Sequence, residues 1–320
     1  MNVYLTFDIE VWCNGWDALD DRFPSAFERY VYGRSPAGEY ALPKTLEIMN
    51  RHGLLGVFFV EPLFAARFGV EYLAKITHMI QDAGQEVQLH LHPEWTDEIR
   101  PPVFPDKPYK RQHLVHYSRE EQTDLLHRGL ALLNEAGVAN VTAFRSGSFA
   151  ANADTMAAAS ACGLSTDASL NMCYDVSGAD LRAEENFYFP RIRGELLLLP
   201  MTIFRDGTGR LRHAQVGACS AREFEEALED SARRKHPCFT ILSHNFEMLR
   251  AGTSLPDRIV ASRFEALCRF LGQNRLSYPT CGLQSPTSLA SIPQDTPLAQ
   301  VGKLATMRRF AGQAARRLIA

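Results

Sequence analysis

Two pairs of metal-binding residue types stand at the ends of two apolar segments. Asp8 and Glu10 follow VYLTF, and His90 and His92 close the segment QEVQLHLH. Residues two apart in a strand point to the same face, so each pair can address one cavity. A carboxylate with two imidazoles leaves one coordination position open for water, as in catalytic zinc sites. The pattern predicts bound Zn²⁺, with Co²⁺ or Ni²⁺ also suitable, and a hydrogen-bonded network without metal is the alternative.

Three more polar residues follow apolar segments further along the chain. Arg145 follows NVTAF, Asp167 lies in LSTDASL, and His244 follows CFTILS. In folds built on parallel strands, catalytic groups sit at the carboxyl ends of those strands. We therefore expect all of these side chains to lie on the rim of one active site.

Segments with strand and helix patterns alternate along the whole chain. Helical spacing and capping residues predict helices over 39–52, 70–83, 118–136, 152–162, 221–234 and 257–272. Apolar segments rich in β-branched and aromatic residues lie between them and predict strands. Repeated βα units indicate an α/β fold with a parallel sheet, and the number of strands favours a barrel.

Composition and charge exclude several classes of protein. The 320 residues are 46% hydrophobic, and 34 Lys and Arg stand against 37 Asp and Glu, for a net charge of -3. This balance excludes a globally basic nucleic-acid-binding protein and a disordered chain. The seven cysteines contain no CxxC pair, and the N-terminal segment has no signal-peptide pattern. We expect a cytoplasmic location.

The order of these segments carries a family resemblance. TFDIE, EVQLHLHPEW, FRSGSF, DAS and ILSH resemble the motifs of the polysaccharide deacetylases, the NodB-homology or carbohydrate esterase family 4 group. The D-x-E and H-x-H-P forms are similar to a branch found in bacterial surface-polysaccharide (O-antigen type) biosynthesis. The resemblance covers about residues 2–282. It implies a deformed (β/α)7-type barrel and metal-dependent removal of an acyl group from an amino sugar.

The matched positions imply roles for the residues that move protons. Asp8 matches the base that takes a proton from the attacking water. Arg145 matches the arginine that keeps this base ionised and oriented, and Asp167 resembles a later aspartate that supports the site. His244 matches the histidine that protonates the leaving amine.

The resemblance also implies the metal ligands. Glu10 stands one residue beyond the usual second aspartate, and His90 matches the first histidine ligand. The second ligand is open between His92 and Glu94, which lies four residues after His90. We favour His92, because Pro93 ends the strand and imidazole suits zinc.

Four residues near these motifs are candidate substrate contacts. The turn Arg145–Phe149, which replaces the R-P-P-F/Y-G motif of the family, contains Ser148, and one of its backbone N–H groups would help to hold the oxyanion. The indoles of Trp12 and Trp95 could stack on a sugar ring, and Asn245 follows the predicted acid.

The expected substrate is an N-acylated amino sugar, free or in a nucleotide-linked or lipid-linked precursor. Removal of acetyl and of formyl would use the same groups. Two alternatives stay open: hydrolysis of non-sugar C–N bonds such as cyclic amides, and a catalytically silent glycan-binding homologue.

The C-terminal residues differ from the rest of the chain. Residues 1–283 are expected to form the barrel, residues 284–300 a linker rich in Ser, Thr and Pro, and residues 301–320 a basic amphipathic helix. Its apolar face would contain Leu304, Met307, Ala311, Ala314 and Leu318. Lys303, Arg308, Arg309, Arg316 and Arg317 would flank or oppose that face. Peripheral contact with an anionic inner membrane is one interpretation, and a helix packed on the barrel with its cations in water is the other.

Overall fold

The chain divides into two compact units. The computed structural model describes residues 1–107, 109–174, 187–284, 289 and 292–319. The first unit comprises residues 1–56, 201–282 and 290–320, and the second comprises residues 57–200 and 283–289. Both combine parallel strands with helices, as the alternating sequence pattern predicts.

Two parallel strands form the centre of the first unit. Strand β1 (Asn2–Ile9) pairs with β12 (Cys238–His244) in a register that runs from Asn2 opposite Cys238 to Asp8 opposite His244. All β1 residues after Asn2 are buried, because the run of large apolar side chains is covered on both faces of the strand. The shared direction brings the carboxyl ends of both strands to the same place.

The other elements of the first unit lie between these two strands in the chain or follow β12. They are α1 (Leu19–Phe27), β2 (Arg34–Ser35), β3 (Gly38–Glu39), α2 (Leu42–Arg51), β10 (Ile203–Arg205), β11 (Leu211–His213), α7 (Ala221–Arg233), α8 (Arg258–Gln273), β13 (Ala299–Gln300) and α9 (Lys303–Ile319). Strands β11, β10 and β13 form a small sheet, and β2 and β3 form a hairpin.

The second unit is built on a sheet with the order β4-β5-β6-β7-β9-β8. Its strands are β4 (Gly56–Val60), β5 (Glu86–Leu91), β6 (Ala143–Ser146), β7 (Thr166–Asp167), β8 (Arg191–Arg193) and β9 (Leu196–Leu198). Only the β8–β9 pair in this order is antiparallel. The helices of the unit are α3 (Ala65–Phe68), α4 (Val70–Asp82), α5 (Arg119–Glu135) and α6 (Ala153–Ala161).

Local sequence signals account for the helix ends. The predicted capping box of α5 is present: the Ser118 hydroxyl accepts from the Glu121 N–H, and the Glu121 carboxylate accepts from the Ser118 N–H. Equivalent boxes begin α6 at Asn152 and α7 at Ser220. The six predicted helices are confirmed within a few residues. Helix α1 was not predicted, and the predicted strand LSTDASL shrinks to the two residues of β7.

The C-terminal helix α9 is anchored within the first unit by an ion-pair network. Arg309 is 1% exposed and donates to Asp206 at 2.7 Å and to Glu223 of α7 at 2.9 Å. The Gly207 N–H donates to the Thr306 hydroxyl at 2.8 Å. Placing Arg309 with the solvated cations was therefore wrong, because two buried carboxylates hold its guanidinium inside. Ala299 and Gln300 of the expected linker form β13.

The predicted apolar face of α9 points outward in this arrangement. Leu304 and Met307 are exposed by 66% and 64% of their surface, and Phe310 by 46%. The side chain of Leu318 and residues 285–288 and 290–291 of the expected linker lie outside the described part of the chain. None of the described helices is both long enough and apolar enough to cross a bilayer.

Candidate active site

Three ionisable side chains converge at the carboxyl ends of β1 and β12. Asp8 and His244 face each other in the register of the two strands, and Glu10 follows the last residue of β1. One ligand atom from each of Asp8, Glu10 and His244 lies within 4.8 Å of the others. Both carboxylates are buried, with 4% and 7% of Asp8 and Glu10 exposed. A group of this composition can hold a cation or transfer protons.

Neighbouring groups fix the position of Glu10. The Trp12 indole N–H donates to its carboxylate Oε2 at 2.6 Å. The Asn245 side chain binds the Glu10 backbone on both sides, accepting from its N–H at 3.1 Å and donating to its carbonyl at 3.0 Å. Asn245 is 1% exposed and holds the end of β1, and its contact with substrate stays a prediction. Trp12 keeps its place beside the carboxylate, and its contact with substrate stays a prediction.

The environment of His244 favours its protonated form. Its Nδ1 lies 2.8 Å from Oε2 of Glu247, and the Gln215 side-chain amide donates to the same carboxylate oxygen at 3.2 Å. Burial lowers the pKa of His244, but the hydrogen bond and charge of Glu247, with smaller effects from Glu10 and Asp8, raise it to about 9. The imidazole therefore carries a proton at neutral pH, as a general acid must.

In the second unit, His90 is oriented by the backbone of the adjacent strand. Its Nδ1 lies 2.8 Å from the carbonyl oxygen of Arg145. A carbonyl can only accept, so Nδ1 carries the hydrogen and Nε2 carries the lone pair. This is the second contact that metal-binding histidines usually make, because it fixes the tautomer and the ring direction.

His92 is held in a similar way by a carboxylate. Its Nδ1 lies 3.2 Å from Oε2 of Glu94, and the rings of His90 and His92 are 4.8 Å apart at an angle of 82°. Gly147 makes room for the ring, since a Cβ at this position would come within 2.7 Å of it. The side chains of His90, His92 and Glu94 are all buried. Glu94 therefore binds Nδ1 of His92 and fixes the orientation of that ring.

Arg145 and Asp167 are fully buried in the second unit. The Arg145 Nε donates to the carbonyl of Ala168 at 3.2 Å, and its guanidinium lies 4.3 Å from the ring centre of Phe59. Burial raises the pKa of Asp167, against the hydrogen bonds from Ser169 and the charge of Arg145. Among the described residues, its Oδ2 has no hydrogen-bond partner. A charged carboxylate is costly to bury without full pairing, which is why burial favours the protonated form of Asp167.

The turn after β6 has unusual backbone angles. Ser148 and Phe149 adopt φ values of 55° and 56°. Left-handed backbone costs about 1 kcal/mol or more for residues with a Cβ, and such strain clusters at functional sites. The turn redirects the chain directly after Arg145, and the expected substrate contact of Ser148 stays a prediction.

Trp95 lies inside the second unit. It is 2% exposed and packs edge-on against Phe64 and Phe68, with ring centres 6.4 Å and 6.1 Å away. The ring stabilises the turn after β5. Stacking of a sugar on Trp95 would require this loop to rearrange, so the expected contact has no support from its position.

Sequence reasoning missed Glu61, which follows β4. It is 2% exposed, its Oε1 accepts from the Leu63 N–H at 2.8 Å, and burial raises its pKa to about 8. The charge of His92 lowers this pKa and the charge of Glu94 raises it, both by less than burial does. The signal was present, because Glu61 directly follows the apolar segment LGVFFV, as Asp8 follows VYLTF.

Comparisons with known proteins identify the fold. No protein-family model and no curated protein matches the sequence. The crystal structure of a proposed polysaccharide deacetylase from Mycobacterium smegmatis is similar over 89% of this chain and 94% of that one, with 20% identity and a TM-score of 0.52. This similarity confirms the predicted α/β fold of the deformed, NodB-like barrel type.

Two further solved structures are more distant. A family 4 carbohydrate esterase from Streptomyces lividans, in complex with acetate, is 13% identical over 94% of this chain and 97% of that one, with a TM-score of 0.40. A family 4 pseudoenzyme from Bacillus anthracis is 16% identical, with a TM-score of 0.41; the match covers 85% of this chain and 60% of that one.

The substitution Glu247→Gln tests the cause of the raised His244 pKa. We expect that pKa to fall from about 9 by about one to three pH units, because the carboxylate charge is removed at nearly constant size. Because the folded-state pKa of His244 lies above the ordinary value of about 6.5, protonation of this imidazole stabilises the fold. This contribution is complete below about pH 6.5 and is lost as the pH rises through about 9. NMR titration of the imidazole protons measures the change. The buried His236 serves as control, and an unchanged His244 titration would contradict the assignment.

Proposed function

We propose that this protein is a metal-dependent amide hydrolase that removes an N-acyl group, acetyl or formyl, from an amino sugar. One observation carries the proposal: a buried carboxylate, Asp8, lies opposite a protonated imidazole, His244, at the ends of two parallel strands. A base and an acid held this close can act on the two sides of one amide bond. Glu10, beside them, is a further cation ligand.

The proposed metal ligands are Glu10, His90 and His92. The donor set fits a first-row divalent cation, because carboxylate oxygen and imidazole nitrogen are the ligands zinc takes in catalytic sites. The hydrogen bonds at Nδ1 of both histidines support this, since they direct the Nε2 lone pairs for coordination. Glu94, the alternate ligand, is assigned instead to orienting His92. Zn²⁺ is the proposed ion, and Co²⁺ or Ni²⁺ would fit the same donors.

Different residues of the chain carry out the separate steps of the proposed amide hydrolysis. A bound divalent cation would polarise the acyl carbonyl and acidify the attacking water. Asp8 takes the proton of that water, Arg145 keeps this base ionised and oriented, and Asp167 supports the site. Negative charge that develops on the carbonyl oxygen is held by backbone N–H groups of the turn after β6. His244 then donates its proton to the amine nitrogen, which lets the C–N bond break.

The proposed substrate class is a precursor of a bacterial surface polysaccharide. The similarity to a proposed polysaccharide deacetylase supports an N-acylated sugar as the reacting group. A cytoplasmic location would favour a nucleotide-linked or lipid-linked sugar over a mature polymer. Hydrolysis of non-sugar C–N bonds and silent glycan binding are the competing functions.

Metal removal and one substitution test the reaction. We expect the zinc-loaded protein to release acetate from N-acetylated amino sugars, and a chelator to abolish this release until zinc is restored. Asp8→Asn should lower kcat by about 10²- to 10⁴-fold, because general-base catalysis contributes a factor of that size. His90→Ala should also lower the metal content measured by elemental analysis.

His127→Asn, at an exposed position on α5, is the control and should retain both metal and activity. Full activity of Asp8→Asn would contradict the mechanism. Amine release from cyclic ureides but not from N-acetyl sugars would favour the non-sugar reaction. A folded protein without metal or activity would favour the silent homologue.

We further propose that α9 binds an anionic membrane surface peripherally. Leu304, Met307 and Phe310 are exposed on it, and Lys303 and Arg308 are exposed beside them. The sequence contains no acidic residue beyond Asp295. Exposed apolar side chains flanked by cations are typical of helices that lie in the headgroup region of anionic bilayers.

Vesicle sedimentation tests this contact. We expect binding to vesicles that contain phosphatidylglycerol, weakening as salt rises, and little binding to phosphatidylcholine alone. Leu304→Ser with Met307→Ser should weaken binding about tenfold or more, because each side chain buried in lipid contributes about 1.5–3 kcal/mol. Ile192→Ser, at a residue 64% exposed on β8, is the matched control. Equal binding by both variants would contradict the proposal.

A further inference from the structure

A cavity rich in arginine lies in the first unit, at the start of α8. Its volume is about 450 Å³, within the range of small-molecule sites. Its polar lining consists of four arginines, one aspartate and one glutamine: Arg250, Arg258, Arg316, Arg317, Asp257 and Gln313. Helix α9 supplies three of these residues, so the C-terminal helix forms one wall.

The single carboxylate of the lining is already occupied. Asp257 caps α8, its Oδ1 accepting from the N–H groups of Ile259 and Val260 at 3.1 Å each. Its Oδ2 accepts from Nε of Arg316 at 2.6 Å. One negative charge therefore faces four guanidinium groups, and the lining carries an excess of positive charge.

The charges of two of the arginines are poorly stabilised by neighbouring groups of the protein. Arg258 and Arg317 are exposed, and neither forms an ion pair within the described residues. Arg258 is the first residue of α8, and the first turn of this helix contains no acidic side chain. A cation near the positive end of a helix dipole is unfavourable, and the one carboxylate there, Asp257, is already bound to two backbone N–H groups and to Arg316.

The cavity adjoins the residues that hold the proposed general acid. Arg316 donates from Nη1 to the carbonyl of Gly217 at 3.3 Å. Glu247, which binds His244, lies so close to Gly217 that a Cβ there would be 1.7 Å from its Oε1. Gly217 is thus in contact with the cavity wall on one side and with the partner of His244 on the other.

We propose that this cavity is the subsite for a diphosphate group, which holds a diphosphate-linked amino sugar with its acylamino group toward His244. Guanidinium groups bind phosphate oxygens in pairs, and a diphosphate carries enough charge to balance the excess in the lining. The volume also accommodates part of the group attached to the far phosphate. The orientation of the sugar rests on the proposed function, whereas binding of the diphosphate does not.

Calorimetry with inorganic pyrophosphate and the full-length protein tests the subsite. We expect binding that weakens as salt rises. The double variant Arg258→Gln with Arg317→Gln should bind about a hundredfold more weakly, because a charged hydrogen bond contributes roughly tenfold or more. Arg269→Gln, at an exposed position of α8 outside the cavity, is the control and should bind like the wild type. Thermal unfolding checks that all three proteins are folded.

Two further ligands distinguish the sources of the diphosphate. Tighter binding of uridine diphosphate than of pyrophosphate indicates a nucleotide-linked substrate, and tighter binding of farnesyl diphosphate indicates a lipid-linked one. The proposal is overturned if the wild type does not bind pyrophosphate, if the double variant binds it equally well, or if glucuronate binds as tightly. Arginine-dependent pyrophosphate binding without release of acetate or formate from any N-acylated sugar would support the subsite and refute the proposed reaction.

Discussion

The parallel pairing of β1 with β12 is the constraint on which the proposed chemistry depends. Its register places Asp8 opposite His244 across residues that are distant in the chain. A shift of one residue would turn one of these side chains to the other face of its strand. The register is stable because β1 is buried on both faces along its length, so a slipped strand would place each side chain in a close-packed position shaped for another. Burial thus fixes the distance between base and acid.

The same burial creates the electrostatic conditions of the site. An imidazole removed from water loses its proton easily, and Glu247 reverses this tendency for His244. Buried ionisable groups need such partners, and each partner adds a second function by orienting the group that it stabilises. The carbonyl of Arg145 and the carboxylate of Glu94 do this for His90 and His92.

Sequence patterns predicted the fold class, most helices and the strand-end positions of the ionisable residues. These features follow from local periodicity and capping, as the Ser118 box shows. The burial of Arg309 could not be predicted, because it depends on Asp206 and Glu223, which are 103 and 86 residues away. The backbone contacts of Asn245 were also hidden, because they depend on Glu10, which is 235 residues away.

The central proposal is that Glu10, His90 and His92 are the ligands of one divalent cation. Anomalous diffraction from crystals grown with zinc, collected on both sides of the zinc absorption edge, tests it directly. The account predicts one strong anomalous peak within coordination distance of Oε of Glu10 and of Nε2 of both histidines. A peak bound by Glu94 in place of His92 would correct one ligand. No peak at these residues, in crystals soaked with excess zinc, would contradict the account.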